Sequence, residues 1–104
     1  MEKIIWIVQT SLSGDLNDAE IGSWAQAFVD SKLAACIHVI RSRSIYRWDD
    51  KIQSTSEWQI QFFTSEESKE ELLIRIKSNH PYDLPSIVSW PTESTKEYFE
   101  WVNR

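Results

Sequence analysis

Residues 35–63 read ACIHVIRSRSIYRWDDKIQSTSEWQIQFF, and this stretch decides the fold. Its first part is apolar, alternating and long for a single strand. Asp49–Lys51 then supplies a polar turn, and from Glu57 to Phe63 the apolar residues Trp58, Ile60 and Phe62 occupy alternate positions. Alternation with a period of two is typical of a strand that buries one face. The stretch therefore predicts a long β-hairpin, with strands over Ala34–Trp48 and Glu57–Phe63.

The middle of the first predicted strand interrupts this pattern. Arg41-Ser42-Arg43-Ser44 alternates charged and small polar residues where the neighbouring positions are apolar. Such a break is typical of an extra residue in one strand of an antiparallel pair. We therefore expect a bulge or a bend at these four residues.

A strand and a helix are predicted before the hairpin. Ile4–Val8 is a continuous apolar run, which is typical of a central strand buried on both faces, and Ser11–Asp15 supplies turn residues. Asn17 precedes Glu20 by three positions, the spacing of a capping box. Apolar residues then recur at helical intervals, which predicts a helix over Asp18–Lys32.

A second helix and a fourth strand are predicted after the hairpin. Thr64 stands three residues before Glu67, a second capping box, and predicts a helix over Ser65–Asn79. His80–Pro85 contains two prolines and is expected to be a loop. Ser86–Trp90 is predicted to be a short strand, ended by Pro91.

The chain closes with a short predicted helix. Ser94 and Glu97 form a third capping-box pair ahead of Tyr98, Trp101 and Val102. The full order is therefore β-α-β-β-α-β with an added helix. Right-handed crossovers would place strands 1 and 3 in the middle of an antiparallel sheet and both long helices on one face. We predict a single α+β domain over residues 1–104, of the ferredoxin-like class.

The predicted sheet has a second, uncovered face. Its apolar residues need a partner to exclude water. Thirteen aromatic residues, six of them Trp, are also many for one small domain to bury. Tryptophan and tyrosine are enriched at subunit interfaces. Both features predict assembly with other copies of the chain.

Composition narrows the class of function. The net charge of −5 and the pI of about 4.9 disfavour general binding to nucleic acid. A single cysteine, Cys36, allows no disulfide within the chain and is compatible with a reducing compartment. Met1–Val8 is too short to span a membrane and lacks the features of a signal peptide. We expect a cytoplasmic protein without a membrane partner.

Several strings together resemble one family. Lys32–Cys36 reads KLAAC, Ser44–Asp49 reads SIYRWD, and His80-Pro81-Tyr82 is followed by Pro85. With Tyr98 and Trp101 near the end, they resemble the CutA family of divalent-cation tolerance proteins. The resemblance implies a ferredoxin-like fold, a tight homotrimer in which the long hairpin reaches a neighbour, and a link to copper or other divalent cations.

The chain also departs from the family pattern. Asp49-Asp50 stands after Trp48 where the family usually has Glu-Gly, and Phe63-Thr64 replaces Lys-Thr. The metal site that the resemblance implies combines a cysteine, the histidine of His-Pro-Tyr and a glutamate. Gln9 and Ser86 occupy the cysteine and glutamate positions, so His80 is the only ligand of the three that this chain keeps.

Three residues are candidate metal ligands. His80 could bind copper or zinc through an imidazole nitrogen, or could simply end a helix, where the dipole favours it. Cys36 and His38 are two apart on one strand and could chelate a soft metal. The alternative is that Cys36 is a small buried apolar residue and that the pair packs in the core or at an interface.

The hairpin carries basic, aromatic and acidic candidates. Arg41, Arg43, Arg47 and Lys51 could form an anion or nucleotide site at a subunit cleft, or could pair with a neighbour's carboxylates. The aromatic residues Tyr46, Trp48 and Trp58 could line a pocket, or could anchor the trimer interface. Asp49, Asp50 and Glu57 could bind a hard cation, or the first two could be turn residues.

Two functional hypotheses remain. The first is a trimeric CutA-like protein that binds or responds to copper or another divalent cation. The second is a trimeric scaffold or sensor that binds a small anion or a partner protein at clefts between subunits, without metal. RNA binding is disfavoured because residues 57–63 lack the basic and glycine residues of the RNA-recognition motif. The two histidines form no catalytic triad or dyad with other residues, so an enzyme is not expected.

Overall fold

The structure is a computed structural model that describes residues 3–104. Met1 and Glu2, which belong to the predicted domain, lie outside the described residues. The described elements are β1 (Ile4–Ser13), α1 (Asp18–Asp30), β2 (Cys36–Trp48), β3 (Lys51–Thr64), α2 (Glu66–Asn79), β4 (Ile87–Glu93) and α3 (Lys96–Val102). This order confirms the predicted α+β class.

The four described strands form one antiparallel sheet in the order β2-β3-β1-β4. Strands β1 and β3 therefore lie in the middle, as predicted from the right-handed crossovers. Strands β2 and β4 are the edges of the sheet.

Helices α1 and α2 cover one face of this sheet. Ile21 and Phe28 of α1 and Leu72 and Ile76 of α2 belong to a single apolar core, whose strand residues are Val8, Leu12, Ile60 and Phe62. These eight side chains are at most 4% exposed. Burial of this size stabilises the fold by about 1.5–3 kcal/mol for each large apolar side chain. No helix within residues 3–104 has the length and apolarity that crossing a membrane would require.

The first capping box is confirmed, whereas the other two are wrong. The Asn17 side chain accepts the Glu20 N–H at 2.8 Å, and Glu20 accepts the Asn17 N–H at 2.9 Å. Helix α2 is capped by Ser65 and not by Thr64, which is buried and donates its hydroxyl hydrogen bond to the Leu33 carbonyl. In the same way, α3 is capped by Thr95 and not by Ser94.

The predicted bulge at residues 41–44 is wrong. Strands β2 and β3 pair without interruption from Cys36 and Phe63 to Trp48 and Lys51. Strand β3 thus begins at Lys51, six residues before its predicted start at Glu57. The β3 side of this outer half is mostly polar, and the apolar side chains that it contains are largely exposed in the single chain, so no alternating pattern marks the strand. The pairing of the two strands depends on backbone hydrogen bonds, which the side-chain pattern does not reveal.

Two strands are longer than predicted. Strand β1 continues to Ser13 through the expected turn, and β4 continues through Pro91 to Glu93. Proline is tolerated because β4 is an edge strand, where a missing N–H need not break the ladder. Gly14 follows β1 at a close approach, since a Cβ there would lie 2.3 Å from the Ser56 carbonyl oxygen.

A cleft on the open face of the sheet

The face of the sheet opposite α1 and α2 is called the open face here. The pairing register places Ile7, Phe63 and Cys36 side by side on it. Large apolar side chains on this face are strongly exposed in the protomer: Ile40 (47%), Tyr46 (41%), Trp48 (54%) and Val88 (48%). Helix α3 lies over one end of this face, where Tyr98 neighbours Cys36, so the expected uncovered face is confirmed for the remainder of the sheet.

A cavity of about 930 Å³ lies at one end of the open face, and we call it the cleft. The end of β1, the outer half of the hairpin and the loop after α2 form its walls. Its lining residues are Ser11, Ser13, Asp15, Ser44, Tyr46, Trp48, Thr55, Ser56, Glu57, Pro81, Tyr82, Asp83, Leu84 and Ser86. The volume is within the range of small-molecule sites.

His80 stands behind the loop that walls the cleft. Its Nδ1 accepts the Tyr82 N–H at 3.1 Å, so Nε2 carries the proton and donates to the Ser11 carbonyl at 3.0 Å. The Thr10 hydroxyl lies 2.9 Å from Nε2 and donates to the Ser86 carbonyl at 2.7 Å. Both ring nitrogens are therefore used in attaching the loop to β1.

Burial favours the neutral form of His80. Desolvation lowers the pKa of His80 below its ordinary value of 6.5, although the bond to Ser11 and the charge of Glu57 act in the opposite direction. A neutral imidazole with both nitrogens bonded to the chain has no lone pair left for a metal ion. In the structure, His80, the metal ligand best supported by the sequence, positions the loop after α2.

Tyr82 and Glu57 connect the loop to the hairpin across the cleft. The Tyr82 hydroxyl donates to Glu57 Oε2 at 2.8 Å, and the Tyr82 ring packs 5.0 Å from the His80 ring. Burial, followed by this hydrogen bond and the carboxylate charge, raises the pKa of Tyr82 well above its ordinary value. The phenol therefore stays protonated and holds Glu57 at the cleft wall.

Cys36 and His38 share the open face, as their spacing predicted. The His38 ring packs against Phe63 at 4.7 Å, and Cys36 lies beside Tyr98 of α3. Burial first, and then the neighbouring Cys36, raises the pKa of Tyr98. Across residues 3–104, no three His, Cys, Asp or Glu side chains come together in a group able to hold a metal ion.

The four basic candidates do not come together. Arg41, Arg43 and Arg47 share the face opposite the cleft, whereas Lys51 pairs with Trp48 on the open face. The Arg41 guanidinium packs 4.3 Å over the Trp58 ring and donates to the Gly14 carbonyl at 3.1 Å. Arg43 donates to the Ser54 hydroxyl at 3.0 Å.

The three aromatic candidates are also divided. Tyr46 and Trp48 lie on the open face and line the cleft. Trp58 lies on the other face, where its indole N–H donates to the Leu16 carbonyl at 2.9 Å. Asp49 and Asp50 form the hairpin turn, while Glu57 lines the cleft.

Some cleft residues were not among the sequence candidates. Asp15, Tyr82 and Asp83 come from segments that are far from the hairpin in sequence. The His-Pro-Tyr string pointed to Tyr82, but no local pattern shows that it meets Glu57, 25 positions away.

Comparisons with known proteins agree with this architecture. The model of the CutA1 divalent ion tolerance protein family matches residues 9–104. The chloroplastic CutA protein of Arabidopsis thaliana is 35% identical over 80 residues, which is 75% of this chain and 44% of that protein. The divalent-cation tolerance protein CutA of Thermus thermophilus is also 35% identical over 80 residues, covering 75% and 78%. The CutA structure from Synechococcus elongatus superposes with a TM-score of 0.89 at 30% identity, covering 99% of this chain and 91% of that one.

Proposed function

The chain belongs to the CutA1 divalent ion tolerance family, and from this premise we propose that it acts in divalent-cation tolerance as a homotrimer. The observation that carries the trimer is the apolar open face. Ile40 and Val88, which do not line the cleft, are 47% and 48% exposed in the single chain. An exposed apolar surface of this kind marks an interaction site. The number of three chains comes from the family resemblance.

The trimer is tested by native mass spectrometry of two matched variants. Ile40→Glu places a charge on the open face and should convert the trimer to monomers, because a buried unpaired carboxylate costs several kcal/mol. Ile74→Glu makes the same change on the outer side of α2, where Ile74 is 68% exposed, and should leave three chains together. A wild-type monomer at micromolar concentration, or a trimer that Ile40→Glu does not disturb, would refute this assembly.

The proposed role does not use a resident metal at the positions that the resemblance implies. Gln9 and Ser86 take two of those positions, and both ring nitrogens of His80 bond to the chain. Cys36 and His38 remain as a pair on the open face without a third ligand among the described residues. Structural metal sites use about four ligands. In the same mass spectra, we expect no copper to be retained in a fixed ratio.

A second candidate function is the binding of a small molecule in the cleft. Its support is the cavity of about 930 Å³, which combines aromatic side chains with convergent polar groups. The arginines proposed for an anion do not line it, and its titratable side chains include the carboxylates of Asp15, Glu57 and Asp83. The lining thus favours a cation over the anion predicted from the sequence.

Two further expectations stay predictions. We propose that the protein is not an enzyme, because the Thr10 hydroxyl, which lies 2.9 Å from His80 Nε2, is buried and donates its hydrogen to the Ser86 carbonyl. We also propose a cytoplasmic location. The names of its relatives include a chloroplastic and a periplasmic CutA, so fractionation of the source cells is the measurement that decides.

A further inference from the structure

Aromatic side chains form part of the cleft wall. Tyr46 and Trp48 project from the same side of β2, with 41% and 54% of their surfaces exposed, and Tyr82 faces them from the loop after α2. Aromatic faces carry a negative electrostatic potential and attract ammonium groups within about 6 Å of the ring centre. Three aromatic side chains around one cavity therefore favour an organic cation.

The charges of the cleft point the same way. Asp15, Glu57 and Asp83 line it, and no Lys, Arg or His is among the described lining residues. The nearest arginines of the hairpin face away, since Arg41 packs on Trp58 and Arg43 bonds to Ser54. The negative charge of the cleft is thus not neutralised by a basic side chain of its lining.

Glu57 is held in place and is partly shielded from water. It is half-buried, and the Tyr82 hydroxyl bonds to its Oε2 at 2.8 Å. Tyr82 is held in turn by the bond from its N–H to His80 Nδ1. A carboxylate fixed before binding loses less conformational entropy when a cation arrives, and it interacts more strongly than a fully hydrated one.

We propose that the cleft binds a small organic cation with one or more ammonium groups, in the size range of the aliphatic polyamines. The proposal rests on the small-molecule function described above and names its ligand class. Glu57 would pair with an ammonium group, and Trp48, Tyr46 and Tyr82 would contact the charge and the methylene chain. A bare metal ion fits less well, because within residues 3–104 no three candidate ligands converge and aromatic faces do not replace them.

The test is isothermal titration of the full chain with spermidine, in phosphate buffer without amines. Glu57→Gln removes the charge but keeps an oxygen acceptor for Tyr82, and should weaken spermidine binding by about tenfold. Trp48→Leu should weaken it several-fold through loss of the aromatic face. Glu97→Gln makes the same charge change on the exposed surface of α3 and should leave the affinity unchanged.

Three results would overturn the proposal. They are the absence of spermidine binding by the wild type, an equal loss of affinity in Glu57→Gln and Glu97→Gln, and preferential binding of adenosine monophosphate. If the wild type does not bind spermidine and Glu57→Gln dissociates the assembly, a basic side chain of a neighbouring protomer occupies the cleft instead. Native mass spectra of the same samples report the number of chains. Failure of the trimer proposal is therefore distinguished from failure of the ligand proposal.

Discussion

At the scale of single residues, hydrogen-bonding capacity decides what a side chain can do. His80 was the candidate ligand with the strongest support in the sequence, yet Tyr82 and Ser11 occupy its two nitrogens. Its role is to hold the loop that carries Tyr82 against β1. The same loop forms one wall of the cleft. His80 therefore positions this wall but does not itself line the cleft.

A pH dependence of stability follows from the neutral state of His80. Its pKa is lowered by folding, so the unfolded chain binds more protons as the pH falls below about 6.5. The stabilising contribution of neutral His80 is complete above that pH and is lost as the pH falls toward the folded pKa. We expect the denaturation midpoint of the wild type to decrease from pH 7 to pH 5.5, and His80→Gln to remove that part of the decrease.

The matched control is His38→Gln, which replaces the other histidine of the chain on an exposed strand position. This variant should keep the decrease between pH 7 and pH 5.5. A decrease that persists unchanged in His80→Gln would assign the effect to carboxyl groups.

At the scale of elements, the hairpin turn shows a strain that the strands overcome. Asp49 and Asp50 link the paired residues Trp48 and Lys51, and both have positive φ angles, 51° and 61°. Two-residue turns with this backbone favour glycine or asparagine, because a Cβ is crowded there. The thirteen consecutive residue pairs of β2 and β3 hold the turn in this conformation.

Relief of this strain should stabilise the hairpin. We expect Asp50→Gly to raise the free energy of unfolding by up to about 1 kcal/mol, measured from chemical denaturation at fixed protein concentration. Asp50→Val places a β-branched residue in the same conformation and should lower it. If glycine destabilised the chain as valine does, the aspartate side chain would have a role beyond the turn.

At the scale of the whole molecule, the protomer is asymmetric. One face of its sheet lies under α1 and α2, whereas the other exposes large apolar side chains. The protomer is also elongated, with extents of 47 × 27 × 22 Å, because the hairpin projects past the helices. A projecting hairpin and an uncovered face on the same chain suit assembly in which each copy covers the next.

Assembly should couple stability to concentration. For a folded trimer in equilibrium with unfolded chains, mass action raises Tm with protein concentration. A tenfold dilution should lower Tm by about 4 °C for a chain of this size. The Ile40→Glu variant, which we expect to be monomeric, should show no such shift. A wild-type Tm independent of concentration would contradict folding coupled to assembly.

The sequence by itself determined the elements and much of their arrangement. The stripe of α1, its capping box at Asn17, the long hairpin and the central position of β1 and β3 were all predicted correctly. Each depends on periodicity or spacing within about fifteen residues, or on the handedness of crossovers. Cys36 and His38 were placed on one face for the same reason.

Only the tertiary structure decided which side chains meet. Thr64 is the buried last residue of β3, and its hydroxyl donates a hydrogen bond to the Leu33 carbonyl. Ser65 therefore caps α2 instead. His80 bonds to Ser11, which lies 69 positions away in the sequence, and the cleft is formed by three distant segments. Such contacts join residues far apart in the sequence and depend on how whole elements pack. Local sequence patterns therefore do not predict them.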